Sequence, residues 1–183
     1  MKIRAAHATD ISALAQLEQT YQQDELSQNQ ATKLQGQSFN HNDLARLIEK
    51  EYLWVAEVES HIVAYVIAGS WAFFEHGPIY QMLLRRIQHM ELESITLTKD
   101  NTCQYGPIWI HPSYRGKGLF NNLVNQIKQQ VVKKYPYMIT FISDENERSF
   151  AAHTQKAAMQ VIDFFTFEDR DYYLLLSHTR DEA

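Results

Sequence analysis

The apolar residues of this chain follow two different periods, and each change of period marks an element. Ile11, Leu14, Leu17 and Tyr21 recur at helical spacing, with Thr9 or Asp10 placed to cap the start. Residues 22–39 are rich in Gln, Asn and Ser and predict a loop or cover. Asn42 is the expected cap of a second helix carrying Leu44, Leu47 and Ile48. The period then shortens. Tyr52–Val58 and Ile62–Ile67 read as strands, and Glu59-Ser60-His61 between them predicts a hairpin. Lys2–Ala5 reads as a short first strand.

Residues 71–91 return to helical spacing through Ile79, Met82, Leu83, Ile87 and Met90. Leu92–Thr98 predicts one strand, Asp100-Asn101 a turn, and Gln104–Ile110 another strand. The clearest helix runs over 116–134, where Leu119, Phe120, Leu123, Val124, Ile127, Val131 and Val132 form one broad stripe. Tyr137–Ile142 reads as a buried strand, Asn146–Ala158 as a helix, and Val161–Phe167 and Asp171–Leu176 as two closing strands. This order predicts an α+β domain with one mixed, mostly antiparallel sheet flanked by helices. The strands on either side of the long helix are expected to be parallel neighbours through a crossover.

The length of 183 residues fits a single domain over 1–183. A net charge of −5, with no block of like charges, gives no basic footprint for nucleic acid. The single cysteine, Cys103, cannot form an internal disulfide and reads as a core residue. The longest apolar stretch, Ile62–Phe74, is broken by Gly69 and Ser70 and falls short of a membrane span. The first residues lack the apolar run of a signal peptide, so the expectation is a cytoplasmic protein without a membrane partner. The histidines show no metal-ligand spacing.

Candidate chemistry concentrates in Gly106–Leu119. Pro112 ends the strand, Gly116 and Gly118 permit a tight turn, and a helix begins with its free N–H groups and positive dipole end. Arg115 and Lys117 add charge, which makes this an anion site. A Walker A loop fails, because Gly118 follows Lys117 and His111 stands where the first glycine belongs. A dinucleotide fingerprint is weak, because Asn121 replaces the third glycine. A plain capped surface turn is the structural alternative.

The segment resembles the acetyl-CoA loop of the GNAT family of N-acetyltransferases. Arg115, Gly118, the strand Ile108–Ile110 and Pro112 match its pattern, and Phe120 departs from the usual Gly or Ala. Asn146 and Ser149 match the family's Asn-x-x-Ser/Ala helix. The order of elements over essentially the whole chain is similar too. The resemblance implies the acyl-CoA N-acyltransferase fold, here with an inserted helix–strand segment after the third strand, over about 71–98. It implies acetyl-CoA as cosubstrate, no metal, and direct transfer of acetyl to a primary amine of a small molecule or peptide. A non-catalytic CoA-binding or sensory module on the same fold is the alternative.

The same resemblance assigns roles. Pantetheine pairs with the backbone of Ile108, Trp109 and Ile110. Pyrophosphate sits on the N–H groups of Arg115, Gly116, Lys117, Gly118, Leu119, Phe120 and Asn121. The Asn146 and Ser149 helix lies beside the pantetheine. Ile110 or its neighbour supplies the oxyanion N–H. The side chain of Phe120 is then expected to turn toward Leu123 and Val124. Counting from Asn146, the family's proton-donating Tyr falls on His153; counting back from Ala158-Met159, in place of the family's Gly-Phe, it falls on Thr154. The base that deprotonates the amine stays open among Glu57, Glu91, Glu93 and Tyr105, with water as a further candidate. Trp71, Phe73, Phe74 and Tyr80 could line an acceptor pocket or form the core of the inserted helix. The aromatic closing strands could also join two copies as a homodimer.

Overall fold

The computed structural model describes residues 1–28 and 39–180. In chain order the elements are β1 (Lys2–Ala5), α1 (Ile11–Gln28), α2 (His41–Glu49), β2 (Leu53–Val58), β3 (His61–Gly69), α3 (Pro78–Ile87), β4 (Glu91–Leu92), β5 (Ile95–Thr96), β6 (Thr102–Ile110), α4 (Leu119–Val131), β7 (Tyr137–Ser143), α5 (Glu147–Ala151), β8 (Gln160–Phe167) and β9 (Arg170–His178). Seven strands form one sheet in the order β1-β2-β3-β6-β7-β9-β8. Among the described strands the β6–β7 pair alone is parallel, as expected for strands joined through the long helix.

Side-chain alternation splits the core into two layers. One face carries Leu14, Leu44, Leu47, Tyr65, Phe74, Tyr80, Leu83 and Trp109 under α1, α2 and α3. The other carries Ala64, Val66, Tyr105, Leu123, Ile127 and Met138 under α4. Trp71, Phe74 and Tyr80 are core residues of the first layer, and Trp71 Nε1 donates to Thr102 Oγ1 at 2.9 Å. Cys103 is buried in the second layer, and burial raises its thiol pKa well above the usual range.

Several boundaries differ from the sequence reading, each for a local reason. The loop expected from residue 22 begins later, because α1 continues to Gln28; its part over 29–38 lies outside the described residues. Asn40, not Asn42, caps α2: its Oδ1 accepts from the Asp43 N–H while Asp43 Oδ2 accepts from the Asn40 N–H, a reciprocal box. The single strand expected over Leu92–Thr98 is instead a tight hairpin of β4 and β5, turned by Glu93 and Ser94 at positive φ. Leu97 then leaves the hairpin for the core. The helix expected over 146–158 is α5 followed by a π-helical turn over Ala152–Lys156.

Candidate active site

β6 and β7 stay together only briefly. Thr102, Cys103 and Gln104 face Tyr137, Met138 and Ile139, and no rung follows. β7 continues fully paired on its other side to β9, and β6 continues on β3. The strands therefore diverge after Gln104. At that point Gly106 and Pro107 stand opposite Ile67, between the rungs Ala68–Tyr105 and Val66–Ile108. This is a bulge, with Gly106 at φ +111 and a cis Gly106–Pro107 peptide. Pro107, which has no N–H, is tolerated there because the ladder is already interrupted.

The pairing pattern fixes where the β6 amides point. The His111 N–H donates to the Val63 carbonyl at 2.9 Å. Antiparallel rungs alternate between bonded and non-bonded. Hence Trp109 spends its backbone on Tyr65, whereas Ile110 and Ile108 turn theirs toward the edge that β7 has left. On that edge Arg115 Nε donates to the Ile110 carbonyl at 2.8 Å. The terminal amino groups of Arg115 make no hydrogen bond among the described residues.

The open edge runs into the anion loop. His111 caps a short 3-10 turn over Pro112–Tyr114, its Nδ1 accepting from the Ser113 N–H at 3.2 Å. Gly116 and Gly118 sit at φ +76 and +77, and a Cβ on either would meet nothing within 4 Å. These glycines are needed for backbone conformation, and they leave open space above the loop. The Asn122 N–H is the first to reach back into α4, to the Gly118 carbonyl at 3.2 Å. The N–H groups of Leu119, Phe120 and Asn121 are thus the free donors of the helix start. Lys117 Nζ lies 5.2 Å from the centre of the Tyr114 ring. The loop presents N–H donors, a helix dipole and two cations, which is chemistry for a phosphate. The Phe120 ring turns away from that space: it packs against the second core layer and meets His153 edge-on at 5.0 Å.

Asn146 caps α5, its Oδ1 accepting from the Ser149 N–H at 3.2 Å. His153 is buried one turn on. Its Nδ1 lies 2.7 Å from the Ser149 carbonyl, which can only accept, so Nδ1 carries the proton. Nε2 then accepts from the Tyr105 hydroxyl at 3.2 Å. Burial pushes the His153 pKa down, opposed by the Ser149 carbonyl, and burial pushes the Tyr105 phenol far up. The pair is neutral. The Thr154 hydroxyl instead donates to the Phe150 carbonyl at 2.8 Å.

The π turn explains why two counts gave two residues. A π turn holds one residue more than an α turn. Counting forward from Asn146 reaches His153 before that extra residue is absorbed; counting back from Ala158 crosses it. Ala158 takes φ +50, the left-handed conformation that a glycine adopts most readily.

Glu57 lies away from the diverging strands. Arg4 holds it, donating from Nη2 at 2.6 Å and Nε at 2.9 Å, and also holds Asp10 at 2.7 Å. Glu91 and Glu93 are exposed in the small hairpin.

One residue of this region was missed by the sequence reading. Glu18 on α1 is 3% exposed, lies in helical phase with Ile11 and Leu14, and hydrogen-bonds the Tyr65 hydroxyl. A charged residue on the apolar stripe of α1 was the available signal.

Residues 12–158 match the sequence profile of the Acetyltransferase (GNAT) family. The chain belongs to the GNAT family. No curated protein matches it significantly. Solved structures of this family share its fold at low identity. A putative acetyltransferase, yncA, from Salmonella typhimurium, solved with its cofactor acetyl-CoA, aligns at 16% identity and TM-score 0.66, covering 100% of this chain and 96% of that one. A ribosomal-protein-alanine N-acetyltransferase from Brucella melitensis aligns at 15% identity and TM-score 0.61, covering 97% and 99%. A GNAT phosphinothricin acetyltransferase from Sinorhizobium meliloti, in complex with acetyl-CoA, aligns at 15% and TM-score 0.62, covering 97% and 87%. Among the described residues, no group of three or more His, Cys, Asp or Glu side chains could hold a metal ion. No described helix is long and apolar enough to cross a membrane.

Proposed function

We propose that this GNAT protein transfers the acetyl group of acetyl-CoA to a primary amine of a small molecule or peptide, by direct attack in a ternary complex. The observation that carries this reading is the divergence of β6 from β7 after Gln104, which frees the amides of Ile108 and Ile110 on an edge that ends at the α4 anion loop. Pantetheine carries amides and can pair with that edge as a short strand would. Its pyrophosphate then meets the N–H groups from Gly116 to Asn121, with Arg115 and Lys117 neutralising charge. The family relatives from Salmonella typhimurium and Sinorhizobium meliloti bound to acetyl-CoA support the same cosubstrate here.

In the reaction the amine nitrogen attacks the thioester carbon, and the C–S bond breaks as the tetrahedral adduct collapses. The Ile110 or Ile108 N–H stabilises the oxyanion. Holding both reactants at the open edge supplies proximity. The departing thiolate gains a proton. His153 is our candidate to help deliver it, through its hydrogen bond to the Tyr105 hydroxyl, and Thr154 is the competitor. Glu57 is a weaker base candidate than its position in the sequence suggested, because Arg4 holds its carboxylate. Trp109 contributes its ring to the acceptor side rather than its amide to pantetheine.

The reading of a non-catalytic CoA module drew on Phe120 and on the missing glycine near Ala158. The Phe120 ring is turned to His153, and Ala158 adopts the glycine-like conformation itself. For a second copy of the chain, the outer strand β8 with exposed Val161 and Phe164 is the proposed contact, and sedimentation of Phe164→Lys tests it. The decisive experiment for function combines calorimetric titration with acetyl-CoA and release of free CoA thiol with a panel of amines, peptides and antibiotics. Binding together with amine-dependent thiol release is expected. Binding without release would leave the non-catalytic module; no binding would overturn both readings.

A further inference from the structure

The sheet face opposite α4 holds a buried carboxylate with no cation against it among the described residues. Glu18 projects from α1 into the first core layer and is 3% exposed. Two groups face it. The Tyr65 hydroxyl on β3 donates to Oε1, and the Phe39 N–H, just before α2, approaches Oε2 at 3.4 Å. Among the described residues no Lys, Arg or His stands against it. An isolated buried carboxylate is costly, and proteins ordinarily pair one with a cation. The buried and half-buried acids of the described ion pairs, Asp10, Glu57 and Asp163, each have an arginine.

The surroundings of Glu18 suit a cation from outside the chain. Tyr65 stacks on Trp109 with ring centres 6.2 Å apart, and the two are register partners across β3 and β6. Trp109 lies between Ile108 and Ile110, the residues with amides on the open edge. Aromatic faces beside a carboxylate attract an ammonium group. A second acceptor lies on the same face. Gln104 shares its rung with Ile139, a residue of that core layer. Its Nε2 donates to the Tyr105 carbonyl at 2.9 Å, while its buried Oε1 has no partner among the described residues. Glu18 and Gln104 thus offer acceptors on the acceptor side of β6, with the anion loop on the other.

We propose that Glu18 receives the acceptor as its ammonium form and takes one proton from it, so that the free amine attacks the thioester. This inference rests on the acetyltransferase reading and names the acceptor's base within it. The balance is closed. The ammonium gives a proton to the Glu18 carboxylate, and the amine lone pair forms the C–N bond. When the C–S bond breaks, the thiolate takes a proton by the path for which His153 and Thr154 are the candidates, and the adduct nitrogen's remaining extra proton replaces it there, giving CoA thiol and the amide. Glu18 then returns its proton to solvent. Burial also pushes the Glu18 pKa up to about 7, against the opposing pull of Tyr65 and the Phe39 N–H, so the group can hold that proton near neutrality.

The test compares the wild-type protein with Glu18→Gln, using phenethylamine, 1,4-diaminobutane and alanyl-alanine as acceptors. Folding is checked by thermal melting and the cofactor site by acetyl-CoA titration. Glu18→Gln is expected to bind acetyl-CoA within about twofold of wild type and to lose about 100-fold or more in kcat/KM, as for a general base. The acidic limb of the wild-type kcat/KM profile, near the Glu18 pKa, is expected to vanish. Carbon-13 NMR of the Glu18 carboxyl supplies a readout independent of turnover: a bound amine should move its midpoint to lower pH by about one unit or more. A Glu18→Gln rate within about threefold of wild type, with the acidic limb intact, overturns the proposal. A carboxyl midpoint unmoved by all three amines overturns it as well, including where no amine is acetylated. Failure of the wild type to bind acetyl-CoA would instead overturn the acetyltransferase reading.

Discussion

Arg115 and Ile110 are joined by a hydrogen bond from Nε to the carbonyl at 2.8 Å, across the corner where the strand becomes the anion loop. The bond fixes the loop to the last residue of β6 and spends the Nε of the guanidinium, leaving the terminal amino groups without a hydrogen bond among the described residues. Arg115→Ala is expected to weaken acetyl-CoA binding by about 10-fold or more, since a hydrogen bond to a charged group contributes about 1.5–3 kcal/mol. Arg115→Lys should recover only part of this, because an ammonium has no planar fork. Calorimetric titration checks both.

Gly118 caps α4 at φ +77. Gly118→Ala is expected to destabilise the fold by about 1–2 kcal/mol, because an L-residue strains there. The loss should show in both the melting temperature and acetyl-CoA affinity, since this backbone aims the helix N–H groups. Ala158, at φ +50, predicts the opposite sign. Ala158→Gly should raise stability by up to about 1 kcal/mol, measured by urea denaturation.

His153 and Tyr105 form a buried neutral pair, with Nε2 at 3.2 Å from the hydroxyl. His153→Ala leaves the phenol without its partner and opens space beside Phe120, at an expected cost of about 2–4 kcal/mol. The pH dependence has a definite sign. Burial holds the folded pKa of His153 below the ordinary 6.5, so the unfolded chain binds the extra proton. The contribution is fully present above about pH 6.5 and is lost as pH falls toward the folded pKa. Denaturation curves of wild type and His153→Gln from pH 5 to 8 should converge at the acid end. Kinetics separate this structural role from a catalytic one: unchanged turnover in His153→Gln and His153→Ala, with altered turnover in Thr154→Ala, would remove His153 from the proton path.

Glu18 carries the opposite sign. Its folded pKa is raised from 4.5 to about 7, so the native state binds the extra proton. Its favourable contribution is fully present below about pH 4.5 and is lost as pH rises through 7. Glu18→Gln keeps the shape and removes the buried charge, and should stabilise the fold above pH 7 by up to about 3 kcal/mol. The gain should shrink toward pH 5. Stabilisation with loss of activity would mark a functional residue held at a cost in stability.

Arg4 ties Asp10 and Glu57 together from β1. Glu57→Gln is expected to leave kcat/KM within about threefold of wild type and to lower stability by about 1 kcal/mol, the scale of one partly exposed ion pair. A 100-fold loss of kcat/KM with unchanged acetyl-CoA binding would restore Glu57 as the base.

Much of this was legible along the chain because it depends on near neighbours. The α4 stripe, the Glu59-Ser60 hairpin turn, the Gly116 and Gly118 turn and the expected turn of Phe120 toward the core follow from local periodicity and backbone preference. So does the α+β order with its parallel β6–β7 pair. The boundaries that moved turned on competition between similar local options. Asn40 and Asn42 are both capable caps, and only the reciprocal bond with Asp43 selects the first. Glu93 and Ser94 are ordinary strand-edge residues until Leu97 must reach the core, which folds the hairpin.

The face that holds Glu18 was decided by contacts distant in sequence. Glu18 lies on the apolar stripe of α1, which hinted at burial, but its partners Tyr65 and the Phe39 N–H and the absence of a described cation beside it come only from the assembled fold. The two counts to His153 and Thr154 could not be reconciled along the chain, because the extra residue is absorbed in a π turn whose hydrogen bonds form only in the folded helix. The sequence by itself determined the elements and the anion loop, since period, glycine conformation and helix-end donors are local properties. The tertiary structure alone decided where β6 leaves β7, which amides that divergence frees, and which carboxylate is buried against Tyr65, since burial and strand pairing are properties of the assembled sheet.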